Sequence, residues 1–233
     1  MAGISAGGVL PNDVRRAVTN ALLGGTLDGQ GDVLLWEDFS HGLNAWTLTA
    51  IGVGASLDLS LVSPFLRELS LRMVGGTGAV IGASAVRPLS FVQLSPLGLE
   101  AAFTLDANTG IVDLLISVAN GTTEYDFILR VNAGIGQLQY QDAAAVYQNI
   151  TPIALSTTAG LFHRLKFVCN PKTGLYDRII LDTATITGIV GVPARSFANA
   201  ATYLQAALRV GPAAAVSPTV YVGRTVLTVN EML

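Results

Sequence analysis

Glu124 and Asp126 stand two residues apart in the run Thr123-Glu124-Tyr125-Asp126-Phe127-Ile128-Leu129-Arg130, a spacing that puts both carboxylates on one face of an extended strand. Two carboxylates about 5–5.5 Å apart can cleave a glycosidic bond with retention, and a pair about 6.5–9.5 Å apart can cleave it with inversion. Arg130 shares that face, so the run reads equally as a solvated strand surface. Other chemistry has less to stand on. His41 and His163 form no His-x-x-x-His pair, and Cys169 alone can build neither a zinc site nor an internal disulfide. Asp32, Glu37 and Asp38, with Asp28 upstream, are an acidic group whose oxygens could hold Ca2+. Gly75-Gly76-Thr77-Gly78 lacks the lysine and the following helix of a phosphate-binding loop.

Strands must position these residues. Asn120-Gly121 between Val112 to Val118 and Thr123 to Val131 is a hairpin signal, and the second run sets Tyr125, Phe127 and Leu129 against Glu124, Asp126 and Arg130. A second hairpin spans residues 162–182. There His163, Leu165, Phe167 and Cys169 form an inward row, and Asn170-Pro171-Lys172-Thr173-Gly174 supplies the turn residues. The row makes His163 a satisfied histidine at the edge of the core and Cys169 a buried, inert thiol. Further strands are expected at Val33 to Phe39, Trp46 to Thr49, Phe65 to Val74, Ala79 to Val86, Leu99 to Leu105, Gln137 to Gln141, Val146 to Ile150, Thr202 to Val210 and Val220 to Thr228.

About a dozen short strands with alternating faces and no helix in the body predict an all-β domain, a jelly-roll β-sandwich of two antiparallel sheets over residues 32–233. Residues 1–31 are expected to be a separate arm. Val14, Ala17, Val18, Ala21 and Leu22 form one stripe of a short helix there, capped by Asn12 or Asp13 and ended by Gly24-Gly25. A helix of about ten residues is marginal alone in water, so this stripe must dock on its own domain or on a neighbour.

Charged residues make up 12% of the chain, against about 25% in ordinary domains, while hydrophobic residues reach 51%. Such a surface suits a protein that ends up against other subunits. The net charge of −3 and the lack of a basic, aromatic-rich cluster exclude nucleic acid as a partner. No run approaches the roughly 18 apolar residues of a membrane span, and residues 1–8 have neither the basic nor the apolar part of a secretory signal.

The order of motifs resembles the concanavalin A-like, laminin-G-like jelly-roll family, of the kind found in phage virion structural proteins. The resemblance rests on five segments: residues 36–46, with Trp36, Phe39 and Trp46; the strand Tyr125 to Arg130; Phe162-His163-Arg164-Leu165, where the family has Trp-His; Thr173-Gly174-Leu175-Tyr176-Asp177; and the closing strand Val220 to Val226. Hydrolases of this family carry Glu-x-Asp-x-x-Glu or Glu-x-Asp-x-Glu on one strand, and neither occurs here. Gly223 and Arg224 stand where related modules often carry an Asp pair of a calcium site. The resemblance therefore implies a protein that is not an enzyme and has no cofactor, with Ca2+ near Asp32, Glu37 and Asp38 as the one metal left open.

The expectation for function is a phage virion structural protein, a capsid decoration or tail-associated subunit assembled in the host cytoplasm. Its partners would be other virion subunits and itself, as a homo-oligomer such as a trimer, with the arm stripe as one contact. The alternative is a lectin-like carbohydrate-binding module, in which Trp46, Tyr140, Tyr147 and Tyr203 would stack on sugar rings.

Overall fold

The computed structural model describes residues 30–62, 69–77, 82–90, 94–106, 110–158, 160–211 and 217–232. The arm, with Val14, Ala17, Val18, Ala21 and Leu22, lies outside the described residues, and so does Asp28.

Among the described residues the period-two pattern becomes sixteen strands. They are β1 Asp32–Glu37, β2 Thr47–Ala50, β3 Ser56–Ser60, β4 Ser70–Val74, β5 Ala83–Leu89, β6 Leu97–Leu105, β7 Ile111–Asn120, β8 Thr123–Asn132, β9 Gln137–Gln141, β10 Tyr147–Pro152, β11 His163–Asn170, β12 Leu175–Leu181, β13 Ala184–Ile186, β14 Arg195–Ala198, β15 Thr202–Gly211 and β16 Thr219–Val229. Sheet I runs β13-β12-β11-β6-β16-β4-β3, with β1 on the half of β16 that β4 leaves free. Sheet II runs β10-β9-β8-β7-β15-β5-β2, with β14 on the half of β8 that β9 leaves free. All pairings are antiparallel, which makes the chain a two-sheet jelly-roll sandwich.

The core lies between the sheets. Leu99, Phe103, Leu165, Phe167, Cys169, Val222 and Leu227 of sheet I meet Leu114, Ile116, Phe127, Leu129, Leu204 and Leu208 of sheet II. The hairpin over β11 and β12 has the expected inward row, and its turn works as its residue types require. The Asn170 side chain accepts from the Lys172 N–H at 3.1 Å, and Gly174 takes φ +71°. At the other hairpin Gly121 (φ +91°) is the first central residue, and the Asn120 carbonyl side chain accepts from the Thr122 and Thr123 N–H groups. Asn120 is therefore a cap on a II′-like turn and not a central residue of a I′ turn.

Three strands had no clear sequence signal: β3, β13 and β14, which are short and sit at sheet margins. Strand β5 is described from Ala83, and the expected start at Ala79 lies outside the described residues. A Cβ on Gly82 would lie 2.1 Å from the Gly75 carbonyl oxygen, so the chain passes too close there for any side chain. Pro88 is accommodated because β2 ends its pairing at Val86, leaving β5 a neighbour on one side only.

The outer face of sheet I is sealed by ion pairs. Glu100, 1% exposed, accepts from Arg164 at 2.8 Å and Arg224 at 2.6 Å, and the Arg224 guanidinium also lies over the Trp36 ring. Glu231 bonds Lys166 at 2.8 Å, Arg178 at 2.9 Å and the Thr228 hydroxyl. Gly98 makes room for it, since a Cβ there would lie 2.6 Å from the Glu231 carboxylate.

Candidate functional site

Sheet II presents an outer face whose composition follows from register. Cross-strand pairing places Thr49, Ser84, Arg209, Asp113, Arg130, Gln139 and Asn149 in one unbroken polar row across seven strands. At roughly 4.8 Å per strand the row spans about 29 Å. The next row is apolar: Thr47, Val86, Ala207, Leu115 and Ile128, with Tyr147 packed against it. A third row returns to polar groups, Gln205, Ser117, Asp126 and Arg195, with Pro88 at its end, and a fourth holds Tyr203, Ala119, Glu124 and Phe197. The apolar row is itself covered, Leu115, Ile128 and Ala207 being no more than 4% exposed, so the open part of this face is its margin, where Phe197 and Tyr203 stand.

The banks are held rigidly. Arg130 donates to both oxygens of Asp113, at 2.7 and 2.8 Å, while its guanidinium lies 3.4 Å from the centre of the Tyr147 ring. Burial alone would lower the Arg130 pKa, but the Asp113 contact outweighs it and raises it. Burial and the Asp113 charge push the Tyr147 phenol up to about 12. Further along, Gln139 donates to Asn149 at 2.8 Å.

Glu124 and Asp126 do share this face, as the spacing requires, and each already has partners. Ser117 donates to Asp126 at 2.5 Å, and Arg195 lies 3.7 Å away. Burial raises the Asp126 pKa, and the Ser117 bond only partly offsets it. Glu124 accepts from the Asn199 amide and from the Tyr203 hydroxyl. Burial, with that bond and the Glu124 charge, raises the Tyr203 phenol. Where a third carboxylate would follow on the strand, Ile128 and Leu129 belong to the apolar floor and the core.

The four aromatics expected to stack on sugars separate. Trp46 is in the core, 6% exposed, tilted against Phe39, with its indole N–H donated to Glu37 at 3.1 Å. Tyr140 pairs with Leu129 and so faces inward, edge-on to Tyr176 at 5.7 Å. Tyr147 is on the outer face, but Arg130 occupies one side of its ring. Tyr203 is on the outer face and partly exposed. The residues that spacing did not single out are Phe197, Asp113, Ser117, Gln205 and Arg209, because their shared face depends on pairing between residues as far apart as Asp113 and Arg209. Phe197 is 38% exposed and Arg195 lies over its ring, 5.1 Å from the centre.

The acidic group near β1 is dispersed over local bonds. Asp32 accepts from Asn230, Glu37 from the Phe39 N–H and the Trp46 indole, and Asp38 from the Ser40 N–H and hydroxyl. Among the described residues no three His, Cys, Asp or Glu side chains converge as metal ligands. His163 is a structural group, with Nδ1 3.0 Å from Asp182 and Nε2 accepting from the Ser156 N–H.

No family model matches the chain, and no curated protein matches it in sequence. Solved structures do match it. The cellulose-induced protein Cip1 superposes with a TM-score of 0.59 at 14% identity, over 83% of this chain and 96% of that one. The shared fold is the two-sheet jelly-roll sandwich. A conserved carbohydrate esterase from Shiga toxin-encoding bacteriophage phi24B matches with a TM-score of 0.54 at 12% identity, over 86% of this chain and 100% of that one. A sialidase matches with a TM-score of 0.57 at 14% identity over 86% of this chain, which spans only 19% of the sialidase. At these identities the likeness is one of fold, and the same jelly roll carries enzymes and binding modules alike.

Proposed function

We propose that this protein is a non-enzymatic structural subunit of a phage particle, working through contacts with neighbouring subunits. The observation that carries the reading is an unguarded edge. Strands β2 and β3 end the two sheets and are joined by residues 51–55, and neither carries a lysine, a proline or a free charge, Asp58 being paired with Arg72 at 3.2 Å. Around them Leu48, Ile51, Val53, Leu61 and Val62 are exposed, Val53 to 80%. Monomeric sandwiches blunt such edges, so an apolar, uncharged one fits a surface that is covered by another subunit. The phage protein among the structural matches and the 12% charge content support the same reading. The arm stripe Val14, Ala17, Val18, Ala21 and Leu22 is proposed as a second contact.

The test is the oligomeric state and particle occupancy of Leu48→Lys/Val53→Glu and of a chain lacking residues 1–31. Loss of self-association or occupancy in a protein with an unchanged unfolding midpoint supports the reading. A wild-type chain that stays monomeric and never co-sediments with particles overturns it.

A second reading has its own observation. Tyr203 and Phe197 stand in one row at the margin of the outer face of sheet II, partly exposed, and suit a saccharide, whose ring faces are apolar and whose edges are hydroxyls. Binding by this face needs no catalytic group, which agrees with Glu124 and Asp126 being engaged within the protein. Affinity electrophoresis in polysaccharide gels tests it, and Tyr203→Ala/Phe197→Ala should restore the mobility seen without polymer.

A further inference from the structure

We propose that the occupant of the β2 edge is a second copy of this chain, paired antiparallel with it, so that sheet II runs on across a two-fold axis at Thr49. This rests on the structural-subunit reading and names the partner and register of its unguarded edge. The sheet margins away from this edge carry devices against such pairing. Among the described residues β10 has Pro152 and a bulge between Asn149 and Thr151, β1 a bulge between Val33 and Leu35, β13 only three residues, and β14 the charge of Arg195. Strand β2, Thr47-Leu48-Thr49-Ala50, is exposed at every position and has no such device.

Backbone direction fixes the register. The Ile51 N–H donates to the Gly82 carbonyl at 2.8 Å, and the unbroken pairing from Ala50 with Ala83 to Thr47 with Val86 carries the alternation back along the strand. Thr47, Thr49 and Ile51 thus turn their backbone groups to β5, and Leu48 and Ala50 turn theirs to the free side. The Trp46 N–H, in phase with these two, bonds away from β5 to the Leu43 carbonyl at 2.9 Å. Among the described residues nothing bonds the outward groups of Leu48 and Ala50. A two-fold axis normal to the sheet keeps the core face of both copies on one side, so residues directly opposed are an even number of positions apart. Pairing Leu48 with itself would set Ala50 against Trp46, whose free side Leu43 occupies. Pairing Ala50 with itself would set Leu48 against Gly52, whose carbonyl already accepts from the Ala55 N–H. Pairing Thr49 with itself sets Leu48 against Ala50 of the partner subunit, and the bonds that result use only open groups. It joins the outer polar rows of the two copies end to end through Thr49, sets Thr47 against Ile51 of the partner subunit and leaves no charge across the axis. On the core side it covers Leu48, which is otherwise 38% exposed. Such an interface is isologous and closes as a dimer. A strand of four residues is about 14 Å long, too short to bury the roughly 800 Å² per partner of a standard interface, so the dimer is a micromolar one.

The experiment is sedimentation velocity of the full chain from low micromolar to submillimolar concentration, combined with disulfide trapping. Wild type is expected to pass reversibly from monomer to dimer. Thr49→Cys should be trapped as a covalent dimer by mild oxidation, since opposed residues of a non-hydrogen-bonded pair lie about 4.5 Å apart, within disulfide reach. Thr47→Cys should not be trapped, because its two copies stand about 14 Å apart in this register. Cys169 is buried and does not compete. Ala50→Pro removes an edge donor from each copy and leaves the β5 ladder whole, so it should weaken the dimer about tenfold. Thr49→Lys opposes two like charges across the axis and should also weaken it, with an unfolding midpoint like that of wild type. A dimer trapped through Thr47→Cys or Leu48→Cys and not through Thr49→Cys, or one that Thr49→Lys leaves as tight as before, overturns this inference and leaves the structural reading standing. A chain that stays monomeric yet co-sediments with particles does the same, because another subunit then covers the edge. A chain that stays monomeric and never co-sediments overturns both.

Discussion

Replacing Tyr176 by Phe removes one oxygen atom, and the fold makes that atom unusually consequential. Strand β14 pairs with β8 over residues 123–126 and β9 pairs with it over residues 129–132. Ile128, paired with Leu115 of β7 on one side, falls in the gap on the other, where neither β14 nor β9 reaches its backbone. The Tyr176 hydroxyl crosses from sheet I to fill that gap, accepting from the Ile128 N–H at 2.7 Å and standing 3.1 Å from the carbonyls of Ile128 and Gln141. The side chain is 1% exposed, and its ring packs edge-on to Phe127 and Tyr140, contacts that Phe preserves. The loss is therefore one buried N–H left without a partner, at about 1–3 kcal/mol, with the second bond to a carbonyl in addition. We expect about 2–3 kcal/mol in urea unfolding, with an unchanged m-value, and a fall in Tm of roughly 4–10 °C for a chain of this length. Tyr221→Phe, on a partly exposed tyrosine of β16, is the control and should change stability by less than about 0.5 kcal/mol. A Tyr176→Phe effect no larger than the control would refute the bridging role, since no other group is placed to cover the gap.

Gly174→Ala should cost at least about 2 kcal/mol, because the residue sits at φ +71° and the new Cβ would lie 2.4 Å from a Tyr125 ring carbon; denaturant unfolding measures it. Glu231→Gln breaks the buried pair with Lys166 and should cost about 3–5 kcal/mol by the same assay. For Asp126 the folded pKa is raised, so the native state holds its proton more tightly than the unfolded chain and stability falls as pH rises from the unfolded pKa through the folded one. Asp126→Asn should therefore gain stability relative to wild type at about pH 7 and lose that advantage at about pH 3, as followed by thermal melts across pH. Cys169 is fully buried, with its thiol pKa pushed well up by burial, so a disulfide reagent should label it only after unfolding.

The strands legible in the sequence are those whose alternation is enforced by a buried face. His163, Leu165, Phe167 and Cys169 point inward as the period-two pattern demands, and so do Phe127 and Leu129. Strands β13 and β14 gave no such signal, because marginal strands bury little and their residues are exposed. The site was legible only in part for a different reason. Glu124 and Asp126 are close in sequence and were visible as a pair, whereas Arg209, Asp113 and Arg130 come together through the register of three strands. Trp46 and Tyr140 carried the right residue type for stacking, but type does not reveal facing. The turn at residues 39–46 folds Trp46 onto Glu37 and Phe39, and the β9 register turns Tyr140 toward Tyr176.

The two outer faces differ in what they leave open. On sheet I every charge named above is closed inside the protein: Glu100 takes two arginines, Glu231 takes Lys166 and Arg178, and the side chains of Glu100, Glu231 and Lys166 are no more than 1% exposed. Breaking such a pair costs more than forming it gains, so this face is built to stay closed. On sheet II the carboxylates are engaged in the same way, Asp113 by Arg130 and Asp126 by Ser117 and Arg195, while Tyr203 and Phe197 remain partly open at the margin. Partly exposed aromatic rings contribute less to folding than buried ones, which is why the margin of sheet II, and not sheet I, is the face to probe.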